Sequence, residues 1–341
     1  MIAWNLSSFG KIEQTNNHEA LDGIDSVKVR ITRALITEDD VALFSGEDKT
    51  LPRPIIPCRM AVGQVSELGQ ASGFLEKGTR VFLSPVKECG KCYHCTSGKP
   101  EDCYNFNVAG RNVNGFLKDF AVLNTSDVYS LPASVKDEDA IYIEYIALAL
   151  SVIDKLKVEK GQHVAVLGAN VFGSILSQLL IYYQAVPILL DEDESKLRLA
   201  KKSGIYYTIN VNGKTEKEVN SLTGGRFANK VVYLTRSGLN VELAYKLASP
   251  FSTVAFAGFT YPNLKTPLNI AMNKQLSTVC ITNGYGNYLT AINLLANKAI
   301  DLSNYALPIT KMENIESNVE SMIESFKNKQ SFKDLLINML G

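Results

Sequence analysis

"HVAVLGANVFGSILSQLLIYYQAVPILLDEDESKLRLAKKSG", residues 163–204, carries the pattern from which the architecture can be read. Residues 164–167 form a short apolar run of the kind buried on both faces of a parallel sheet. Phe172, Ile175, Leu176, Leu179, Leu180 and Tyr183 then recur at helical spacing and predict one buried stripe. A second apolar run, 186–190, ends at Asp191. Further strand candidates lie at 206–210, 231–234, 253–257 and 277–281, with helical patterns between most of them. Alternation of this kind predicts a doubly wound parallel sheet, an α/β fold.

The turn Gly168-Ala169-Asn170-Val171-Phe172-Gly173 sits between the first strand and the first helix, where a dinucleotide fingerprint would lie. Gly168 permits the tight turn, Gly173 lets helix and strand pack closely, and the helix amino terminus offers N–H groups to a pyrophosphate. The middle glycine of the fingerprint is replaced by Asn170, which tolerates left-handed backbone but whose side chain crowds the approach to phosphate. Gly168, Asn170, Val171, Phe172 and Gly173 are the candidate cofactor residues. Asp191 joins them, because it follows the turn by about twenty residues, the spacing of an acid that binds a ribose 2′-hydroxyl. An acid there repels a 2′-phosphate and favours NAD(H) over NADP(H). The alternative is that Asp191-Glu192-Asp193-Glu194 is a solvated loop leading into a helix.

A chain of 341 residues is long for one core, so two domains are expected, and a hydrophobic fraction of 46% suffices for both. Lysine plus arginine balance aspartate plus glutamate at 35 each, which argues against nucleic acid or an anionic membrane as partner. The opening "MIAWNLSSFGKIEQ" lacks the basic head and apolar run of a signal peptide. The richest apolar stretch, 172–190, is broken by Ser174, Ser177, Gln178 and Gln184, so no membrane span is expected. A soluble cytoplasmic protein is the expectation, and there closely spaced cysteines read as metal ligands rather than disulfides.

"KECGKCYHCTSGKPEDC", residues 87–103, holds such a set: Cys89, Cys92, Cys95 and Cys103. Four thiolates fill a tetrahedral zinc shell and leave no open position, so one structural zinc per chain is expected. An iron–sulfur site or unmetallated thiols are the alternatives. Gly90 and Gly98 free the backbone to wrap an ion, Lys87, Lys91 and Lys99 offset the thiolate charge, and His94 reads as a surface residue.

Together these features resemble the medium-chain dehydrogenase/reductase superfamily, the zinc alcohol and polyol dehydrogenases, over nearly the whole chain. "AVGQVSELGQASGFLEKGTRVFL" (61–83) is similar to that family's barrel-like strands, with Gly63, Gly69 and Gly78 at its glycine positions. "NGFLKDFAVLNTSDVYSLP" (114–132) resembles the segment leading back to the catalytic domain, and "VEKGQHVAVLGANVFG" (158–173) the entry to the cofactor domain. The resemblance implies a GroES-like, mostly-β catalytic domain at 1–150 and 287–341, with its zinc lobe at about 87–104. A Rossmann cofactor domain would occupy 151–286. It also implies a homodimer or homotetramer.

The family's second, catalytic zinc is another matter. The stretch matching its first ligand, "TEDDVALFSG" (37–46), puts Thr37 at the cysteine. The Gly-His-Glu triplet is here Cys58-Arg59-Met60, and the later ligand stretch, "EYIALAL" (144–150), offers Glu144 and Leu148. Only Glu144 keeps ligand chemistry in place. His18, His94 and His163, the three histidines, fall near none of these motifs. A catalytic zinc needs about three protein ligands and an open position, so its absence is expected. Arg59 then stands where a ligand histidine would, able to polarise a carbonyl or grip an anionic substrate. Thr37 could donate a hydrogen bond, and Tyr145 or Asp40 could pass a proton. Alternatively Arg59 pairs internally with Glu144 or Asp40, and Asp39 and Asp40 form a solvated loop pair. Cys58 and Cys280 read as small buried residues. The resemblance thus implies an NAD(H)-dependent oxidoreductase acting on a small alcohol, polyol or carbonyl compound. The alternatives are a zinc-independent NAD(P)H reductase of an activated double bond and a non-catalytic nucleotide-binding member.

Overall fold

In the computed structural model, which describes all residues except 17, 18, 22, 71, 72, 74, 260–262, 329, 331, 332 and 341, the apolar runs of the second half become strands. They are His163–Leu167, Val186–Asp191, Tyr207–Asn210, Ala228–Leu234, Ala248–Ala257 and Ser277–Ile281, each within a few residues of its expected place. Counted along the chain, they stand side by side in the order third, second, first, fourth, fifth, sixth, and every pairing is parallel. That is a doubly wound sheet, and the order reverses between the first and fourth strands. The carboxyl ends of those two strands are where such sheets bind their ligands. Val164, Ala165, Val166 and Leu167 are all fully buried, as a central parallel strand requires.

The helix Val171–Tyr182 buries its apolar stripe from Phe172 to Leu180, but Tyr183 lies past its end and is exposed. The polar interruptions in that helix have partners. Ser174 Oγ accepts from Tyr305 Oη at 2.5 Å, and Gln178 both donates to the Asp301 carbonyl at 3.0 Å and accepts from the Asp301 amide at 2.7 Å. These bonds hold 297–306 in the parallel-sheet unit, which comprises Tyr145–Asn287 and Asn297–Ala306. The return to the other unit is therefore made in two pieces, Tyr288–Ala296 and Leu307–Gly341, rather than as one block from 287.

The other unit starts at Met1 and runs to Glu144, and its main sheet has seven strands. Ser26–Ile36 is its hub, pairing antiparallel with Met60–Leu68, Phe120–Asn124 and Leu335–Asn338. Gly63 lies where Met60–Leu68 crosses this hub, and a Cβ there would sit 2.4 Å from the Arg30 carbonyl oxygen, so only glycine fits. Trp4, Val29, Ile31, Phe44, Leu83 and Ile337 are among the residues of its core. No helix among the described residues is long and apolar enough to cross a membrane. Of the histidines, His18 lies outside the described residues, His94 is on the cysteine lobe and His163 opens the first parallel strand.

Candidate functional site

The cysteine lobe is closed at its base by the short strands Val86–Lys87 and Asn107–Val108, which pair antiparallel. Gly90 and Gly98 both take left-handed backbone, at φ 68 and φ 76, and turn the loop back on itself. Cys89, Cys92, Cys95 and Cys103 then bring their four sulfur atoms within 4.8 Å of one another. Cys92 Sγ lies 3.5 Å from Cys95 Sγ and 3.9 Å from Cys103 Sγ, and Cys89 Sγ lies 4.0 Å from Cys95 Sγ. A tetrahedral Zn–S₄ shell has edges of ~3.8 Å, from Zn–S bonds of about 2.3 Å. The Cys89 and Asn105 amides both donate to Cys103 Sγ at 3.4 Å. Cys92 is lowered to about 6, chiefly by the Cys95 amide. No cysteine is disulfide-bonded among the described residues. Lys87, expected to offset the thiolate charge, has its Nζ paired with Asp127 at 2.6 Å. His94 is half-buried between Tyr93 and Tyr104, edge-on to both rings.

In the parallel-sheet unit, Gly168 ends the first strand at φ 122, and a Cβ there would strike the Ser237 Cβ at 2.9 Å. A Cβ on Gly173 would lie 1.9 Å from the Gly168 carbonyl oxygen, so turn and helix can approach only as glycines. Asn170 behaves differently from expectation. It is extended, at φ −70, and its side chain turns back to accept the Gly173 amide at 2.9 Å as the helix N-cap. It thus takes one of the N–H groups a phosphate would use. Asp191 is buried at the end of the second strand, not in a solvated loop, and accepts from the Ala169 amide at 2.7 Å and the Asp193 amide at 2.9 Å. Val171 and Phe172 open the helix, and Phe172 stacks on Tyr145 with centroids 5.5 Å apart. Phe259, just beyond the fifth strand, stacks on the other face of Tyr145 at 5.5 Å. Tyr145 is therefore the middle ring of a buried stack in the parallel-sheet unit.

The other candidate catalytic residues belong to the first unit. Thr37 precedes the helix Glu38–Phe44 and shares a capping contact with Asp40: its amide and its hydroxyl each donate to Asp40 Oδ2 at 2.9 Å. Asp40 is buried, and burial raises it to about 6 although the Thr37 donors and the Arg59 charge oppose the rise. The pair is therefore a buried helix cap rather than a solvated loop. Cys58 is fully buried at φ 72, a strained conformation for a residue with a Cβ. Its thiol faces the Leu35 carbonyl at 3.3 Å and the Met60 carbonyl at 3.4 Å. Donation to carbonyls needs the thiol proton, and burial together with Asp40 pushes the thiol well up, so Cys58 is poorly suited to bind a metal as thiolate. Cys280, by contrast, is exposed on the edge strand Ser277–Ile281 and is not a core residue.

Arg59 is only 6% exposed, and its charge acts on Asp40, Cys58 and Tyr288. Glu144, fully buried, faces Tyr288 as well. Tyr288 was not singled out in the sequence; it opens the helix Tyr288–Ala296, with nothing around it to mark it as chemical. Burial, with the Glu144 charge, holds its phenol well above the usual range. Its hydroxyl is sealed from solvent and completes no hydrogen bond of good geometry, although Ser84 and Glu144 face it. A buried hydroxyl in that state costs about 1–3 kcal/mol.

Two family models match the chain, one in each half: the alcohol dehydrogenase GroES-like domain over residues 23–133 and zinc-binding dehydrogenase over residues 172–297. The chain belongs to the zinc-type alcohol dehydrogenase-like family. Like its members it is an alcohol dehydrogenase-like oxidoreductase. It is 24% identical to an uncharacterised zinc-type alcohol dehydrogenase-like protein of Haemophilus influenzae, over 89% of this chain and 90% of that one. Among solved structures, a short chain alcohol dehydrogenase from Escherichia coli CFT073 complexed with NADH superposes with a TM-score of 0.83 at 21% identity, over 99% of each chain. A putative zinc-binding dehydrogenase from Sinorhizobium meliloti 1021 bound to NADP superposes with a TM-score of 0.81 at 21% identity, over 99% of this chain and 98% of that one.

The two cofactor sites that the zinc-type family implies meet different donor sets here. The cysteine lobe fits a closed zinc site in ligand type, number and spacing. The Gly168–Gly173 turn and Asp191 fit a dinucleotide, with glycines where a Cβ would collide and a carboxylate at the strand end. At the family's catalytic-zinc positions the chain presents a capping threonine, a thiol donating to backbone carbonyls, an arginine and one glutamate. A cation placed among them would meet the Arg59 charge, so those residues do not fit a second zinc.

Proposed function

We propose that this chain is an NAD(H)-dependent oxidoreductase interconverting a small alcohol or polyol with its carbonyl form, without a catalytic zinc, and that Arg59 takes the electrostatic part. The observation that carries the reading is the buried Arg59 guanidinium at a ligand position, among Asp40, Glu144 and Tyr288. Bound dinucleotide supplies or accepts the hydride. Arg59 stabilises negative charge as it develops on the substrate oxygen, an effect strengthened where water is excluded. Its planar fork also suits a substrate carrying a carboxylate or phosphate. The Asp191 carboxylate, followed by Glu192, Asp193 and Glu194, supports NAD over NADP, since a 2′-phosphate would meet like charge.

The test joins metal analysis to turnover. Protein purified without added metal should carry one zinc per chain and oxidise NADH with a panel of small carbonyl compounds. NADPH should bind at least tenfold more weakly. Two zincs per chain would return the reaction to metal chemistry. Reduction of enals or enones with NADPH as donor would move it to double-bond reduction, and dinucleotide binding without turnover on any panel member would end the catalytic reading.

A further inference from the structure

We propose that Tyr288 is the proton donor of this site, delivering its phenolic proton to the substrate oxygen; the proposal rests on the function given above and names a residue that function does not require. Three observations meet at this side chain. Its ring packs against Phe82 and Tyr129, both centroids 5.3 Å away, in a three-ring cluster. Its hydroxyl is buried and completes no hydrogen bond of good geometry, although Ser84 and Glu144 face it. The groups facing that hydroxyl are suited to proton transfer: Glu144 opposes loss of the proton at rest, and Arg59 favours the phenolate once it forms. Ser84 Oγ spends its own proton on the Val86 carbonyl at 2.8 Å, so towards the phenol it can only accept.

The step balances as follows. The carbonyl oxygen of the substrate accepts the Tyr288 O–H hydrogen bond. A reduced nicotinamide dinucleotide would supply the hydride that the carbonyl carbon takes, with the electron pair of the C=O π bond moving onto oxygen. The phenolic O–H bond breaks as the new alcohol O–H forms, leaving a phenolate beside the Arg59 cation. A solvent proton then restores the phenol. In the oxidation direction the same phenolate takes the alcohol proton. Because the donor is held neutral by its surroundings, Tyr288 acts as an acid across the ordinary pH range and loses that role only at high pH.

Tyr288→Phe tests this directly, since it keeps both ring contacts and removes only the hydroxyl. The variant should fold with an unchanged or higher thermal midpoint and bind NADH within about twofold of wild type. Its kcat for carbonyl reduction should fall at least ~100-fold, the scale of a lost general acid, and the alkaline limb of its pH profile should disappear. A second readout needs no turnover: a short aliphatic amide has a carbonyl oxygen that accepts hydrogen bonds but is not reduced, and it should bind the NADH-loaded variant at least tenfold more weakly than wild type. A variant with wild-type kcat, pH profile and amide affinity overturns the role of Tyr288 while leaving the oxidoreductase reading intact. A wild-type protein that binds NADH yet reduces no carbonyl overturns that reading, and Tyr288 as proton donor falls with it.

Discussion

Thr37 donates twice to one atom: its amide and its hydroxyl both reach Asp40 Oδ2 at 2.9 Å. The pair closes the start of the helix Glu38–Phe44, and it sits within reach of the Arg59 charge. Burial nevertheless dominates and raises Asp40 from 3.8 to about 6. Between those values the folded chain holds a proton that the unfolded chain has lost. Stability from the protonated form is therefore present below about pH 4 and is lost as pH rises through 6. Asp40 should contribute a loss of about 3 kcal/mol across that window, at about 1.4 kcal/mol per pKa unit. Asp40→Asn should flatten the fall, as read by denaturant midpoints from pH 4 to 7. Equal slopes in both proteins would show that Asp40 does not carry the effect.

Arg59→Ala should cut kcat/KM for carbonyl reduction at least ~100-fold, on the scale of one lost oxyanion donor. It should also destabilise by about 3 kcal/mol, because buried acids lose their counter-charge. Arg59→Lys keeps the charge and loses the planar fork, so stability should recover more than turnover. Unchanged kcat/KM in a folded Arg59→Ala protein would take Arg59 out of the mechanism.

Asn170 offers an unusual gain. Its side chain occupies the Gly173 amide, and glycine at an N-cap is only a few tenths of a kcal/mol worse than asparagine. Asn170→Gly should therefore release that N–H for a phosphate at little cost in stability, tightening NADH binding about three- to tenfold, as measured by fluorescence titration. Weaker binding would mean that Asn170 itself holds the dinucleotide.

Cys103 accepts two backbone amides while its sulfur belongs to the four-cysteine cluster. Cys103→Ser should strip the zinc and lower the thermal midpoint by several degrees. Elemental analysis should then read close to zero zinc per chain; a variant that keeps its metal would point to a ligand set other than the four thiols.

The parallel sheet was legible in the sequence because a strand buried on both faces must be apolar throughout, as 164–167 and 186–190 are. The cysteine cluster was legible because its ligands lie close along the chain. What spacing does not reveal is the neighbour a side chain finds. Tyr145 follows Glu144 directly, yet it stacks between Phe172 and Phe259 within the parallel-sheet unit. Tyr183 continues the helical spacing of its stripe but lies beyond the last turn, and Cys280 is exposed because its strand forms the sheet edge. Tyr288 is separated from Glu144 by the whole parallel-sheet segment that precedes it, so no local pattern could pair them.

The left-handed turn at Cys58 explains how position 59 can carry an arginine at all. The Phe116 amide donates to the Cys58 carbonyl at 2.8 Å, and the Gly115 amide to the Ile56 carbonyl at 2.6 Å. A Cβ on Gly115 would lie 2.2 Å from the Cys58 carbonyl oxygen, and one on Gly110 would lie 2.9 Å from the Cys58 nitrogen. The path of the chain beneath residue 59 is thus moulded by a distant glycine-bearing segment and not by whatever residue 59 binds. It works as a socket, indifferent to its fitting. A side chain of another chemical kind can be seated there with the backbone already in position, which makes this the natural place to exchange one electrophile for another.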